Sequence, residues 1–174
     1  MFVSEGARRD DIDAVAETWR RDGLSEPLIA MLELGKRAGR IATLLQQALR
    51  EPLAELGLTY AEFEVLTVLR REGEPYRLRP SELTRSAFLT SGGTSNVLQR
   101  LQKAGLVERE ANAGDARSRF VQLTDEGLRV TEQALAASGA AHEEAMAGVP
   151  PQDVRDAADA LREILLVVGK RRFR

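Results

Sequence analysis

The residues Ser91 to Glu110, SGGTSNVLQRLQKAGLVERE, decide how this chain is read. Their periodicity changes half-way. Val97, Leu98 and Leu101 recur at helix spacing up to Ala104, Gly105 supplies the left-handed residue that ends helices, and Leu106 and Val107 begin an extended run. Thr90 or Ser91 is placed to cap the start of that helix.

The flanking residues continue the pattern on both sides. Upstream, after a turn-rich stretch from Glu72 to Pro80, Ser81 begins a short helix through about Phe88. Downstream, Phe120, Val121 and Leu123 form a second extended run, separated from the first by Asn112, Ala113, Gly114 and Asp115, which predicts a β-hairpin with a charged tip. Two short helices joined by a tight turn and followed by a hairpin give the order of a winged helix-turn-helix, whose second helix enters a major groove.

The remaining segments are helical. Ile12, Val15, Ala16 and Trp19 mark one face of a helix from about Asp10 to Arg21. Leu28, Leu32, Ala38, Ile41, Ala42, Leu45, Leu49 and Leu53 mark a longer one to about Leu56, with a break predicted just before Pro52. Thr59 and Glu62 form a capping box ahead of a helix whose buried side is Phe63, Leu66, Val68 and Leu69. Thr124 to Glu126 open a helix to about Met146, and a last one runs from about Gln152 to Val168 with Val154, Ala158, Leu161, Leu165 and Val168 on one stripe.

The expected fold is therefore mainly α with a small β-hairpin wing. Its parts are an extension helix (1–26), a dimerisation helix (27–57), a winged lobe (58–124) and C-terminal dimerisation helices (125–174). The stripes at 28–53 and 154–168 exceed what one small lobe covers, so a second copy of the chain is the expected cover, in a two-fold dimer.

Composition narrows the function. The net charge is −2, yet Arg70 to Arg119 holds ten Lys/Arg against six Asp/Glu, so positive charge concentrates in the winged segment. With no cysteine, disulfides, thiolate zinc sites and thiol redox sensing are excluded. No apolar run is long enough for a membrane span or a secretory segment, which points to the cytoplasm. No nucleophile with a paired base, metal-ligand spacing or phosphate loop is present, so neither catalysis nor a cofactor is expected. His142 stands beside Glu143 and Glu144 without a second imidazole and reads as part of a solvated helix face.

Candidate DNA contacts follow from the docking geometry. Thr94, Ser95, Asn96, Gln99 and Arg100 are assigned to the groove side of the second helix, and Gly92 and Gly93 let backbone approach a phosphate at the positive helix end, beside Ser91. Ser81 starts the preceding helix. Arg117 and Arg119 follow the hairpin tip, where an arginine suits a narrow minor groove, and Asp115 can orient Arg117 through a charge-assisted bond. The alternative is a winged-helix protein-interaction module that does not bind DNA, which the overall acidity favours.

The sequence resembles the MarR group of transcriptional regulators. The matching residues are Leu58-Thr59 with Phe63, Val65 and Leu66; Ser81-Glu82-Leu83; Thr94-Ser95-Asn96 with Arg100-Leu101; Gly105 to Arg109; Asp115-x-Arg117; and Leu123-Thr124-x-x-Gly127. One departure is Ala116, where the family often carries the first of two wing arginines. The resemblance implies a triangular homodimer that represses at a palindromic operator and is released by a small anionic or aromatic molecule.

The helix ahead of this core, with Ser91-Gly92-Gly93, resembles the branch that responds to urate and related metabolites. There a Trp, an Asp and two Arg hold the ligand, and the corresponding positions are Trp19, Glu64, Val97 and Arg109. Trp19, Glu64 and Arg109 are thus the implied ligand residues, while Val97 removes one anion clamp. Trp19 has a second reading, as the residue that pins the first helix to the dimer core.

Overall fold

The computed structural model describes residues 9–87, 91–110 and 120–169. Helix α1 (Asp11–Arg21) begins at Asp10, whose carboxylate accepts the Ile12 and Asp13 amides, while Asp13 accepts the Asp10 amide in return. It lies along α2 (Glu26–Ala48), burying Ile12 and Ala16. Arg37 of α2 ties the two together by pairing with Asp10 and Asp13 as well as with Glu33 of its own helix.

The long helix breaks where the sequence predicts. A helix continuing through Pro52 would place the proline ring against the Ala48 carbonyl. Accordingly α2 ends at Ala48, and α3 (Arg50–Glu55) starts afresh. Helix α4 (Tyr60–Arg71) carries the predicted capping box, and Phe63, Val65, Leu66, Val68 and Leu69 are buried on it.

A two-residue strand, β1 (Arg77–Leu78), follows; the sequence reading did not anticipate it. Helix α5 (Pro80–Ser86) starts one residue earlier than expected, because Pro80 has its φ already set for a first helical position and Arg79 stays extended before it. It ends before the predicted Phe88, with Ala87 as its C-cap. Helix α6 (Ser91–Lys103) then leads through Gly105, at φ +71°, into β2 (Val107–Glu110), which pairs antiparallel with β3 (Phe120–Leu123). Strand β1 adds to the other side of β3, so the wing base is a three-stranded sheet in the order β1-β3-β2 rather than a bare hairpin.

Helix α7 (Asp125–Ala145) is capped by the Thr124 hydroxyl, which accepts the Gly127 amide and donates to the Gly105 carbonyl. The Thr124 amide donates to the Leu106 carbonyl, so the first turn of α7 presses on the backbone that leaves α6. Gly127 makes this approach possible: a Cβ there would lie 1.9 Å from the Leu106 carbonyl oxygen.

The lobe's core gathers Leu66 and Leu69 of α4, Leu83 of α5, Leu98 and Leu101 of α6, Val107 of β2 and Val121 and Leu123 of β3. Leu49 and Leu53 join it from the bend before and within α3, and Ala134 from α7. Burial of this apolar surface is what fixes α5 and α6 relative to the sheet.

Helix α8 (Pro151–Val168) differs from the others. None of its residues is buried, and Leu165 and Val167 are 62% and 61% exposed. Leu28, Met31, Leu34, Ile41 and Leu44 of α2 are also exposed. Among the described residues no helix is long and apolar enough to cross a membrane, and no His, Asp and Glu side chains cluster as a metal site would require.

Candidate nucleic-acid interface

Helix α6 has two faces of different character. Thr94, Val97, Leu98 and Leu101 point inward and are buried, whereas Gly92, Ser95, Asn96, Gln99 and Arg100 are exposed. The outer face is thus a row of hydroxyl, amide and guanidinium groups of the kind that bond base edges in a major groove.

Thr94 does not belong to that row. It is 2% exposed, and its hydroxyl is hydrogen-bonded at 3.1 Å to that of Thr84 on α5. The assignment of Thr94 to the groove side is therefore corrected: its role in this geometry is to lock α6 against α5. Residues 94, 98 and 101 share one helix face, and this phase outweighs the polarity of the threonine. Gly93 is half-buried and Gly92 open to solvent.

Arg100 sits at the edge of the outer face nearest α4. Its Nε lies 3.0 Å from Oε1 of Glu62, a carboxylate that is itself buried. The other oxygen of Glu62 accepts the Thr59 amide and hydroxyl, each at 2.7 Å. Sequence reasoning identified the capping box but had no signal for this link between α4 and α6, which spans 38 residues of chain.

Ser81 is exposed on α5 and shares with Ser95 a cavity of about 310 Å³, lined also by Pro80, Thr84, Thr94, Leu98 and Arg109. Strand alternation puts Arg109 on the same side of β2 as the buried Val107. Its Nε is buried and has no hydrogen-bond partner among the described residues. A buried guanidinium donor left unsatisfied is costly, and an anion or carbonyl oxygen entering this hydroxyl-lined space would complete it.

Trp19 and Glu64 are elsewhere. Trp19 is half-buried on α1, with the Lys36 ammonium 5.8 Å from its ring centre. Glu64 lies on α4 beside Tyr60; burial first, and then the Glu64 carboxylate, push the Tyr60 hydroxyl above its ordinary range. Neither residue lines the cavity that holds Arg109. At the wing base, Arg77 and Arg79 stack over the Phe120 ring at 4.9 and 5.5 Å, two cations the sequence reading had not singled out. Asp115, Arg117 and Arg119 fall outside the described residues, as does the side chain of Ser91.

The sequence pattern of the MarR family matches residues 56–118, the stretch from the end of α3 into the wing. The chain is 31% identical over 123 residues to an HTH-type transcriptional repressor of Mycobacterium tuberculosis, covering 71% of this chain and 86% of that one. The chain belongs to the MarR family. It is also 30% identical over 129 residues to the HTH-type transcriptional regulator PecS of Dickeya dadantii, covering 74% and 77% of the two chains. Its fold is similar to that of a mutant of Escherichia coli MarR complexed with operator DNA, with a TM-score of 0.69 and 27% identity over 81% of this chain and 99% of the other. Like these MarR relatives it is a DNA-binding regulator of transcription rather than an enzyme.

Proposed function

We propose that this chain is a homodimeric repressor that binds a palindromic operator in the cytoplasm and is released by a small anionic or aromatic metabolite. The observation that carries the reading is the outer face of α6, where Ser95, Asn96, Gln99 and Arg100 stand free of the core beside the wing base. Ser81, Gly92, Gly93 and Ser91 are assigned to the phosphates at the ends of α5 and α6, and Arg117 and Arg119, with Asp115, to the minor groove.

The exposed apolar faces of α2 and α8 support dimerisation, since patches of this kind on a lone chain mark association surfaces. A two-fold pair would present two α6 helices about 34 Å apart, one turn of duplex. The solved MarR complex carries operator DNA on the same fold.

The Arg109 cavity supports the response to an anion. A carboxylate held there by Arg109 would occupy the space between Ser81 of α5 and Ser95 of α6, two of the groups assigned to DNA. Anion and duplex then compete for the same donors. Trp19 and Glu64 are assigned, with Arg109, to the effector on the family resemblance alone.

The test is selection of binding sequences from random duplex DNA, followed by footprinting upstream of the chain's own gene and by titration with a panel of carboxylates. An inverted repeat bound by two chains, released by a carboxylate in wild type but not in Arg109→Ala, is the expected result. No enriched sequence would refute operator binding, and equal release of the Arg109→Ala variant would refute the assigned effector contact.

A further inference from the structure

We infer that Glu62 is a specificity-positioning residue: its buried carboxylate restrains the Arg100 guanidinium by ion pairing, so that this cation is kept for a base rather than for the nearest phosphate. The inference rests on the proposed docking of α6 in a major groove.

The geometry divides the Glu62 carboxylate between two tasks. One oxygen is committed to Thr59, by two hydrogen bonds of 2.7 Å, and cannot swing away without uncapping α4. The other lies 3.0 Å from Arg100 Nε. Because Glu62 is 7% exposed and its helix is packed into the lobe's core, its carboxylate is a fixed anchor rather than a mobile surface partner. The Arg100 side chain, by contrast, is 56% exposed.

Two consequences follow for DNA. An unanchored arginine on a recognition helix reaches any phosphate and adds to sequence-independent binding. An arginine restrained by an ion pair samples fewer directions, so its planar fork is more often available to bond both acceptors of a guanine edge. The buried negative charge also offsets the cation, which lowers attraction to random duplex. Glu62 thus trades general affinity for discrimination without touching the nucleic acid itself.

The variant Glu62→Gln isolates this effect. A glutamine oxygen still accepts the Thr59 amide, since capping boxes admit Gln, so the fold is retained. Binding of the full-length chain to its selected operator and to random duplex is measured at several salt concentrations. The expected result is tighter binding to random duplex, a log K against log salt slope steeper by about 0.9, and a roughly tenfold lower ratio of operator to random affinity. In an Arg100→Gln background, Glu62→Gln should leave the ratio where Arg100→Gln alone puts it.

A purely structural role for Glu62 would lower the melting temperature and leave both the slope and the ratio alone. Arg100→Lys, at an exposed position, gives an independent reading: it keeps the charge but lacks the planar fork, so random binding should persist while the ratio falls. An unchanged ratio in Glu62→Gln and Arg100→Lys, or the same loss from Glu62→Gln with and without Arg100, overturns the inference. Should the wild-type chain select no sequence at all, the docking of α6 fails instead; should it discriminate normally and the variants with it, only the role of Glu62 fails.

Discussion

Replacing Gly127 by alanine tests how the winged lobe is joined to α7. The added Cβ would lie 1.9 Å from the Leu106 carbonyl oxygen and 2.8 Å from its carbon, against a comfortable separation of about 3.5 Å. Backbone must therefore move, and the segment in the way carries the bonds that seat α7. The Thr124 amide donates to Leu106 and the Thr124 hydroxyl to Gly105. Losing both costs about 2 kcal/mol, and residual crowding about 1–3 kcal/mol. Removing a helical glycine returns about 1 kcal/mol. The net is a loss of about 3 kcal/mol, which for a chain of this size lowers the melting temperature by roughly 6–12 °C. Thermal unfolding followed by circular dichroism reads this directly. A midpoint within about 2 °C of wild type would show that the α6–β2 connection yields easily and that the close approach is not a constraint.

Three further outcomes are expected. Asn96→Ala or Gln99→Ala should relax base preference at one operator position by about 1–3 kcal/mol, seen in competition binding with single-base variants of the selected site. The hydrogen bond from Arg37 holds the Asp10 carboxyl down at about 2, below its ordinary value of 3.8; because the docked form has the lower value, its contribution to α1 docking is present above pH 4 and is lost as pH falls toward 2. Trp19 fluorescence should report that loosening, and Asp10→Asn should dock α1 more weakly at neutral pH and flatten the acid transition. Leu165→Glu should shift sedimentation from dimer to monomer while leaving the helical signal of the winged lobe in place.

Much of this architecture is local chemistry and so is legible in sequence. The break ahead of Pro52 and the Thr59/Glu62 capping box each depend on residues within one or two turns of each other, and the Gly105 exit from α6 depends on one residue's φ. The features that were not legible depend on distant partners. Strand β1 has two residues and no periodicity of its own; it exists because Arg77 and Leu78 meet Gln122 and Val121, more than forty residues away. The inward turn of Thr94 needed helix phase to be weighed above polarity, and Thr84, its partner, carried no signal by itself. For the site, the exposed row on α6 was visible from spacing, whereas the pairing of Arg100 with Glu62 and the unsatisfied Arg109 nitrogen arise only when α4, α6 and β2 are packed together.

The bare condition of α8 has a consequence for the life of the molecule. An eighteen-residue helix that buries none of its residues in the described chain is marginal in water, so in the proposed dimer its order is coupled to finding another copy. Folding of the C-terminal arm and assembly then become a single second-order event, and the half-melting point should climb as the protein is concentrated. Below the concentration at which the proposed dimer forms, α8 should therefore be the first of the helices cut by a protease.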